Sequence, residues 1–306
     1  MATATRVSFG ERLAELGATH PDIVVFDADL SKSTQSQLFA AKYPERFYEM
    51  GIQEHNMIGA AAGMALSGKK PFICSFSTFV VGRFEAIRMS IGYSEANVTI
   101  VGTHCGVAIG EDGYSQMALE DIGLMRTLPN MTIIQPADDR EARAAVDFLA
   151  THQQPAFLRL TRQGLEDIHD ETYRFEFGKA DLLKAGNDAV IFATGGVVYN
   201  ALRVAEDLKG EGFDIRVYNI HTIAPLDAET VVRAARETGR VITVEDHSIV
   251  GGLGGAVTEL LSEQQPTRMK RIGMTTYGRS GSPTGLYEYY GLDTAGIKRQ
   301  VLDFLR

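Results

Sequence analysis

The amino-acid sequence predicts an α/β protein of two domains, each a mainly parallel sheet flanked by helices. Short β-branched runs alternate with helical stretches along nearly the whole chain, the pattern of strands covered on both faces by crossover helices. The alternation breaks once, at a polar and irregular stretch from Arg162 to Lys184, and then resumes. A length of 306 residues is also more than one hydrophobic core commonly serves. The expected division is a first domain over residues 1–165, a linker over 166–186 and a second domain over 187–306.

Each element has a local reason. In the first half, helical stretches at Phe9 to Gly17, Gln53 to Ser67, Phe79 to Ile91, Glu120 to Leu128 and Asp138 to Thr151 separate apolar runs. Those runs, Ile23 to Phe26, Pro71 to Cys74, Val98 to Val101, Met131 to Ile134 and Pro155 to Leu158, have strand length and strand composition. Beyond the linker, strands are predicted at Ala189 to Ala193, Ile215 to Tyr218, Val241 to Val244 and Met269 to Ile272. Helices are predicted at Val197 to Leu208, Leu226 to Thr238, Gly252 to Leu261 and Thr294 to Leu305.

Composition narrows the function classes. Hydrophobic content of 44% and charged content of 23% suit a soluble globular protein. No apolar run is long enough to span a bilayer, and the N-terminus lacks the apolar core of a secretory signal. A net charge of -9 argues against nucleic-acid binding, which needs a basic face. Cys74 and Cys105 have no metal or redox spacing and read as small core residues. The expected compartment is the cytoplasm, with no membrane partner.

Three Gly-rich pieces resemble ligand loops and lack their full patterns. Thr194-Gly195-Gly196-Val197 and Gly251-Gly252-Leu253-Gly254-Gly255 each join a strand to a helix without the G-x-G-x-x-G spacing. Both read as tight turns. Gly110-Glu111-Asp112-Gly113 is not a metal loop, no His/Cys cluster has ligand spacing, and no metal-binding residue is expected in this chain.

The segment Gly51-Ile52-Gln53-Glu54-His55 carries the sharpest chemical signal. It sets one carboxylate in the opening turn of a small, apolar helix, Ile58-Gly59-Ala60-Ala61-Ala62-Gly63. Such a helix packs closely, so Glu54 is expected at a dry boundary, where an unpaired carboxylate costs several kcal/mol. A helix-start acid is the plain alternative.

Taken in order, the motifs Gly51-Ile52-Gln53-Glu54-His55, Ser77-Thr78-Phe79, Thr103-His104, Gly110-Glu111-Asp112-Gly113, Arg126-Thr127-Leu128-Pro129-Asn130-Met131 and Leu160-Thr161-Arg162-Gln163 resemble the transketolase family of thiamine-diphosphate enzymes. The resemblance covers nearly the whole chain and is to the family's C-terminal half, a pyrimidine-binding domain followed by the transketolase C-terminal domain. It implies that Glu54 is the catalytic carboxyl that holds the N1′ nitrogen of the cofactor's aminopyrimidine. It implies that Phe79 stacks on that ring, that Phe76 and Phe84 complete an aromatic box, and that Asp29 and Leu30 line the cofactor site. For Phe76 and Phe84 a core role is the alternative, and for Asp29 a turn or cap. On the substrate side it implies that Arg6, Ser33, His104 and Arg162 grip a sugar phosphate and that Asp112 touches a donor hydroxyl. His104 also counts as catalytic. Arginine suits phosphate because its planar fork makes bidentate, charge-assisted bonds.

One departure stands out. Common transketolases carry a histidine shortly after the Glu-Asp-Gly turn, whereas this chain has Tyr114-Ser115-Gln116. The sugar pair is therefore left open, with deoxy, branched and sulfonated sugars among the options. The chain also lacks the Gly-Asp-Gly and Asn pair with which the family's diphosphate-binding domain holds magnesium. The expectation is the C-terminal subunit of a split transketolase. It would move a two-carbon ketol unit from a ketose to an aldose and share thiamine diphosphate with an N-terminal diphosphate-binding subunit. Mg2+ would sit on that partner, in an assembly of two copies of each chain. The enzyme alternatives are the beta subunit of a 2-oxoacid dehydrogenase and a deoxyxylulose-phosphate-synthase-like enzyme. The non-enzyme alternative is a scaffold or regulatory paralogue. The region from Asp188 to Arg306 is expected to serve packing and subunit contact, with His247 structural.

Overall fold

A computed structural model describes residues 2–306. A seven-stranded sheet runs from one edge to the other as Thr222–Ala224, Thr132–Ile134, Ala156–Arg159, Thr99–Thr103, Lys70–Phe76, Ile23–Asp27 and Phe47–Glu49. All neighbours are parallel except the first pair. Every residue of Ile23–Asp27, Lys70–Phe76 and Thr99–Thr103 is buried. That accounts for the apolar runs at their centres, Ile23 to Phe26, Pro71 to Cys74 and Ile100 to Val101, since a strand covered on both faces has no wet side to alternate toward. A second, five-stranded sheet has the order Arg268–Met274, Arg240–Ser248, Ala189–Ala193, Ile215–Asn219, Asp181–Lys184 and is parallel but for its last pair.

Parallel order brings the C-terminal ends of the first sheet's strands to one edge, where α/β proteins place ligands. Asp27, Glu49, Phe76 and Thr103 end four of those strands. The N-terminus reaches the same region because Thr3–Ala4 pairs antiparallel with Gly164–Leu165, just beyond Arg162. That pairing sets Arg6, in the first turn of the helix Thr5–Leu16, beside the chain that leaves Ala156–Arg159.

Several elements differ from the sequence reading. The stretch from Phe79 to Ile91 is not one helix. Ser77–Val81 stops at Gly82, Phe84–Ala86 makes a short turn, and Ile87–Tyr93 winds as a π-helix. Glycine is a weak helix former, and a π turn takes up an extra residue in the helical path. The polar connector ends in a strand, Asp181–Lys184, on the open edge of the second sheet. Its residues are half-buried or exposed, so it lacks the apolar run of an inner strand. Thr222–Ala224, which follows the second sheet's Ile215–Asn219 in sequence, crosses over to extend the first sheet. A helix at Pro283–Tyr290, capped by the Ser282 hydroxyl on the Gly285 N–H, has no counterpart in the apolar pattern.

The two sheets meet over buried charge. Arg159 is 1% exposed, and its Nε lies 3.0 and 2.9 Å from the two oxygens of Asp121. Its Nη2 donates to the Ala118 and Asp246 carbonyls. Asp246 in turn accepts the Val107 N–H at 2.9 Å and the Tyr287 hydroxyl at 3.0 Å. Gly106, at φ 80, lies so close that an added Cβ would meet the Asp246 carboxylate at 2.1 Å. Both the left-handed backbone and the space therefore require glycine there.

Candidate active site

Glu54 opens the helix Glu54–Leu66 and is 4% exposed. Met57, Ile58, Ala61 and Ala62 bury one face of that helix, which brings the carboxyl against the neighbouring strand. The Ser75 hydroxyl donates to Glu54 Oε1 at 3.2 Å. Ser75 is the penultimate residue of Lys70–Phe76, so the acid is tied to the point where the chain turns into Phe76-Ser77-Thr78-Phe79. The rings of Phe76 and Phe79 stack at 5.6 Å with an 11° tilt. Phe76 also stacks on His104 at 3.7 Å. Phe84 is outside this row. It makes no ring contact among the described residues and packs against the apolar core that includes Met57 and Ile58.

His104 follows the strand Thr99–Thr103 in a left-handed conformation, φ 60, which is uncommon outside glycine. It is 3% exposed, and its Nδ1 lies 2.9 Å from the Thr103 hydroxyl oxygen. Burial, then the nearby Arg6 and Arg162, drive its pKa down to about 3, so the ring is neutral at neutral pH. Arg6 Nη1 donates to the Ser33 carbonyl, and Arg6 Nε is buried without a partner. Burial and the Arg162 charge lower the Arg6 pKa. Arg162 Nη1 donates to the Ile109 carbonyl and lies 3.5 Å from Asp112 Oδ2 and 3.9 Å from Glu111 Oε2. Two guanidinium groups thus repel each other across a neutral histidine, and no carboxylate among the described residues pairs with Arg6. An anion placed between them would relieve that repulsion and meet an unused donor.

Ser33 contributes its carbonyl oxygen to this arrangement by accepting from Arg6. Asp29 is exposed and left-handed, φ 64, with its backbone N–H held by Glu49 Oε1 at 2.8 Å. Leu30 is half-buried, and its N–H donates to Asp27 Oδ1 at 2.6 Å. Asp27 and Glu49 were not singled out by sequence reasoning. For Asp27 the available signal was an acid ending a β-branched run with Thr34 and Ser36 shortly after. Burial pushes its carboxyl up to about 6 against the pull of its hydrogen bonds.

Other candidates take structural places. His247 is fully buried at the junction between the sheets, with Nδ1 2.6 Å from the Ser248 carbonyl and Nε2 accepting the Gly123 N–H at 3.4 Å. Burial lowers its pKa to about 4. The Gly251–Gly255 turn wraps Glu245, whose carboxylate takes the Leu253 and Gly254 N–H groups at 2.7 and 2.8 Å. Cys74 and Cys105 are buried and unpaired. Among the described residues no group of three or more His, Cys, Asp or Glu side chains could hold a metal ion, and no helix is long and apolar enough to cross a membrane.

Known proteins resemble this chain in sequence and fold. The family description "Transketolase, pyrimidine binding domain" matches residues 1–167, and "Transketolase, C-terminal domain" matches residues 178–297. A putative transketolase C-terminal section of Methanocaldococcus jannaschii is 43% identical, covering 98% of this chain and 96% of its own length. An apulose-4-phosphate transketolase subunit of Phocaeicola vulgatus is 38% identical over 99% of this chain and 98% of its own. A solved structure described as a split gene transketolase, inactive beta4 tetramer, superposes with a TM-score of 0.91 at 43% identity, covering 100% of this chain and 99% of that one. With both family descriptions matched in order and the relatives covered almost end to end, the chain belongs to the transketolase family, to the pyrimidine-binding and C-terminal half that split transketolases carry as a separate section.

Proposed function

We propose that this chain is the ring-binding subunit of a split transketolase that moves a two-carbon ketol unit from an anionic ketose to an aldose. The observation that carries the reading is Glu54, buried and hydrogen-bonded to Ser75 at 3.2 Å, beside the stacked Phe76 and Phe79. A carboxyl in a dry place next to a flat aromatic face fits an aminopyrimidine, which needs a hydrogen-bonded proton at one ring nitrogen and a stacking partner. When bound, thiamine diphosphate would supply a nucleophilic thiazolium carbon for ketol transfer. Glu54 holds the proton at N1′, Phe79 fixes the ring plane with Phe76 behind it, and Asp29 and Leu30 line its approach. Arg6, with the neutral His104 and Arg162, receives the sugar's anionic end, and His104 also exchanges a proton with a sugar hydroxyl. Ser33, whose carbonyl accepts from Arg6, joins them in gripping that anionic end, and Asp112, tethered to Arg162, meets a donor hydroxyl. Phe84 would complete the aromatic side of the ring site, and its packing against the core favours the alternative of a supporting core residue.

The diphosphate and Mg2+ belong to a partner subunit, in an assembly of two copies of each chain. Residues 1–165 carry the cofactor face, 166–186 join the domains, and 187–306 back them. The buried, unpaired Cys74 and Cys105 suit the reducing cytoplasm.

The test is reconstitution with the cognate diphosphate-binding subunit, thiamine diphosphate, magnesium and a panel of ketose phosphates. The wild-type complex should consume a donor. Glu54→Gln should lose at least about a hundredfold in kcat, the scale of a general acid–base contribution. A variant that turns over near the wild-type rate at saturating cofactor would remove Glu54 from the mechanism.

A further inference from the structure

Two carboxylates outside the expected site stand side by side at its base. Asp27 ends Ile23–Asp27, Glu49 ends Phe47–Glu49, and the two face each other in register across the ladder. Like charges in this relation repel, so a donor set must hold them. Asp27 is fully buried, and its carboxylate takes the Leu30 N–H at 2.6 Å, the Thr34 hydroxyl at 2.7 Å and the Ser36 hydroxyl at 2.8 Å. Glu49 takes the Asp29 N–H at 2.8 Å and the Gly51 N–H at 3.1 Å on a single oxygen. Asp29 and Gly51 both have left-handed backbones, φ 64 and 66, and for Asp29 local preference alone does not hold that conformation.

The consequences run outward along the chain. The Ser33 and Thr34 N–H groups both donate to the Leu30 carbonyl, at 2.7 and 2.9 Å. Fixing Leu30 therefore orients the turn Ser31–Thr34, whose Ser33 carbonyl takes Arg6. On the other arm, the Gln53 N–H donates to the Gly51 carbonyl at 2.7 Å and the Met57 N–H to the Gln53 carbonyl at 2.9 Å. Fixing Gly51 therefore sets the point from which the Glu54 helix starts.

We propose that Asp27 and Glu49 are positioning residues with separate duties: Asp27 sets the Arg6 anion grip, and Glu49 sets the approach of Glu54 to the cofactor ring. The duty of Glu49 rests on the transketolase reading. The duty of Asp27 has a readout in the chain alone.

The experiment compares Asp27→Asn and Glu49→Gln, each nearly isosteric with the native residue, after thermal melts establish that they fold. Calorimetry with inorganic phosphate on the isolated chain should show about tenfold weaker binding for Asp27→Asn and less than about twofold change for Glu49→Gln, the scale of one misaligned charge-assisted bond. Thr34→Ala, which deletes one partner of Asp27, should weaken phosphate in the same direction and serves if Asp27→Asn does not fold. In the reconstituted complex Asp27→Asn should raise KM for a ketose phosphate about tenfold with kcat near wild type, whereas Glu49→Gln should lower kcat about tenfold at unchanged KM. Equal phosphate affinity in wild type and Asp27→Asn, or no phosphate binding by the wild-type chain, overturns the duty of Asp27. Parallel changes of kcat and KM in both variants overturn the division of duties. A wild-type complex that consumes no donor refutes the transketolase reading and the duty of Glu49 with it, while weakened phosphate binding by Asp27→Asn would still stand for Asp27.

Discussion

Replacing His169 by glutamine should loosen the joint between the two domains, and the loss should depend on pH. His169 lies in the connector with its side chain 4% exposed. Its Nδ1 is 2.9 Å from Asp138 Oδ2, the residue that caps the helix Asp139–Thr151, and its Nε2 is 2.9 Å from Asp181 Oδ2, the first residue of the second sheet's edge strand. Burial opposes charge on the ring, yet the hydrogen bonds to Asp138 and Asp181 prevail and raise its pKa from 6.5 to about 10. Asp138 moves the opposite way, lowered against its own burial by the bond to His169, so both partners report the same ion pair.

A folded pKa above the unfolded one stabilises the native state fully below pH 6.5, and that contribution is lost as pH rises through about 10. At roughly 1.4 kcal/mol per pKa unit the linkage ceiling is about 5 kcal/mol. Asp138 keeps its backbone donors, Glu141, Ile168 and His169 N–H, after the ring is gone. The expected cost of His169→Gln at pH 6 is therefore about 3 kcal/mol, at the low end for removing one member of a buried pair. For a chain of 306 residues that is a fall in Tm of about 5 °C. Calorimetric melts of both proteins at pH 6 and at pH 10 provide the check. The gap should be widest at pH 6 and nearly closed at pH 10. A gap that does not change with pH, or one under about 2 °C at pH 6, would refute the charged clamp.

Other expectations follow from the same geometry. Arg159→Met should cost about 3–5 kcal/mol by leaving Asp121 buried without its cation, measurable as a lowered urea midpoint, with no loss if that pair is dispensable. The His104 ring resonances should show the neutral form from pH 8 down to pH 5, because burial and the two arginines hold its pKa near 3. In stability terms His104 penalises the native state progressively as pH falls from 6.5 toward 3, since only the unfolded ring takes a proton there. A titration midpoint near 6.5 would place it in open solvent.

What the linear text determined was local. Ala189–Ala193 and Thr294–Leu305 lie where the apolar runs and caps put them, and Glu54 begins its helix as the text from Gln53 onward implied. Those outcomes depend on periodicity, capping and burial of one face, all written within a dozen residues. The ordered motifs extended the reading to a family and hence to a site. Tertiary structure decided what distant parts of the chain do to one another. Thr222–Ala224 joins the first sheet because an edge at Thr132–Ile134 is open to it, which no local pattern encodes. Phe84, in the segment where Gly82 and the π turn break the expected helix, packs half-buried against the apolar core. Asp27 finds its donors within nine residues, but Glu49 reached the Asp29 N–H only when parallel pairing set Phe47–Glu49 beside Ile23–Asp27. A buried carboxylate and an exposed one read alike in sequence, and it is the hydrogen bonds made across the fold that separate them.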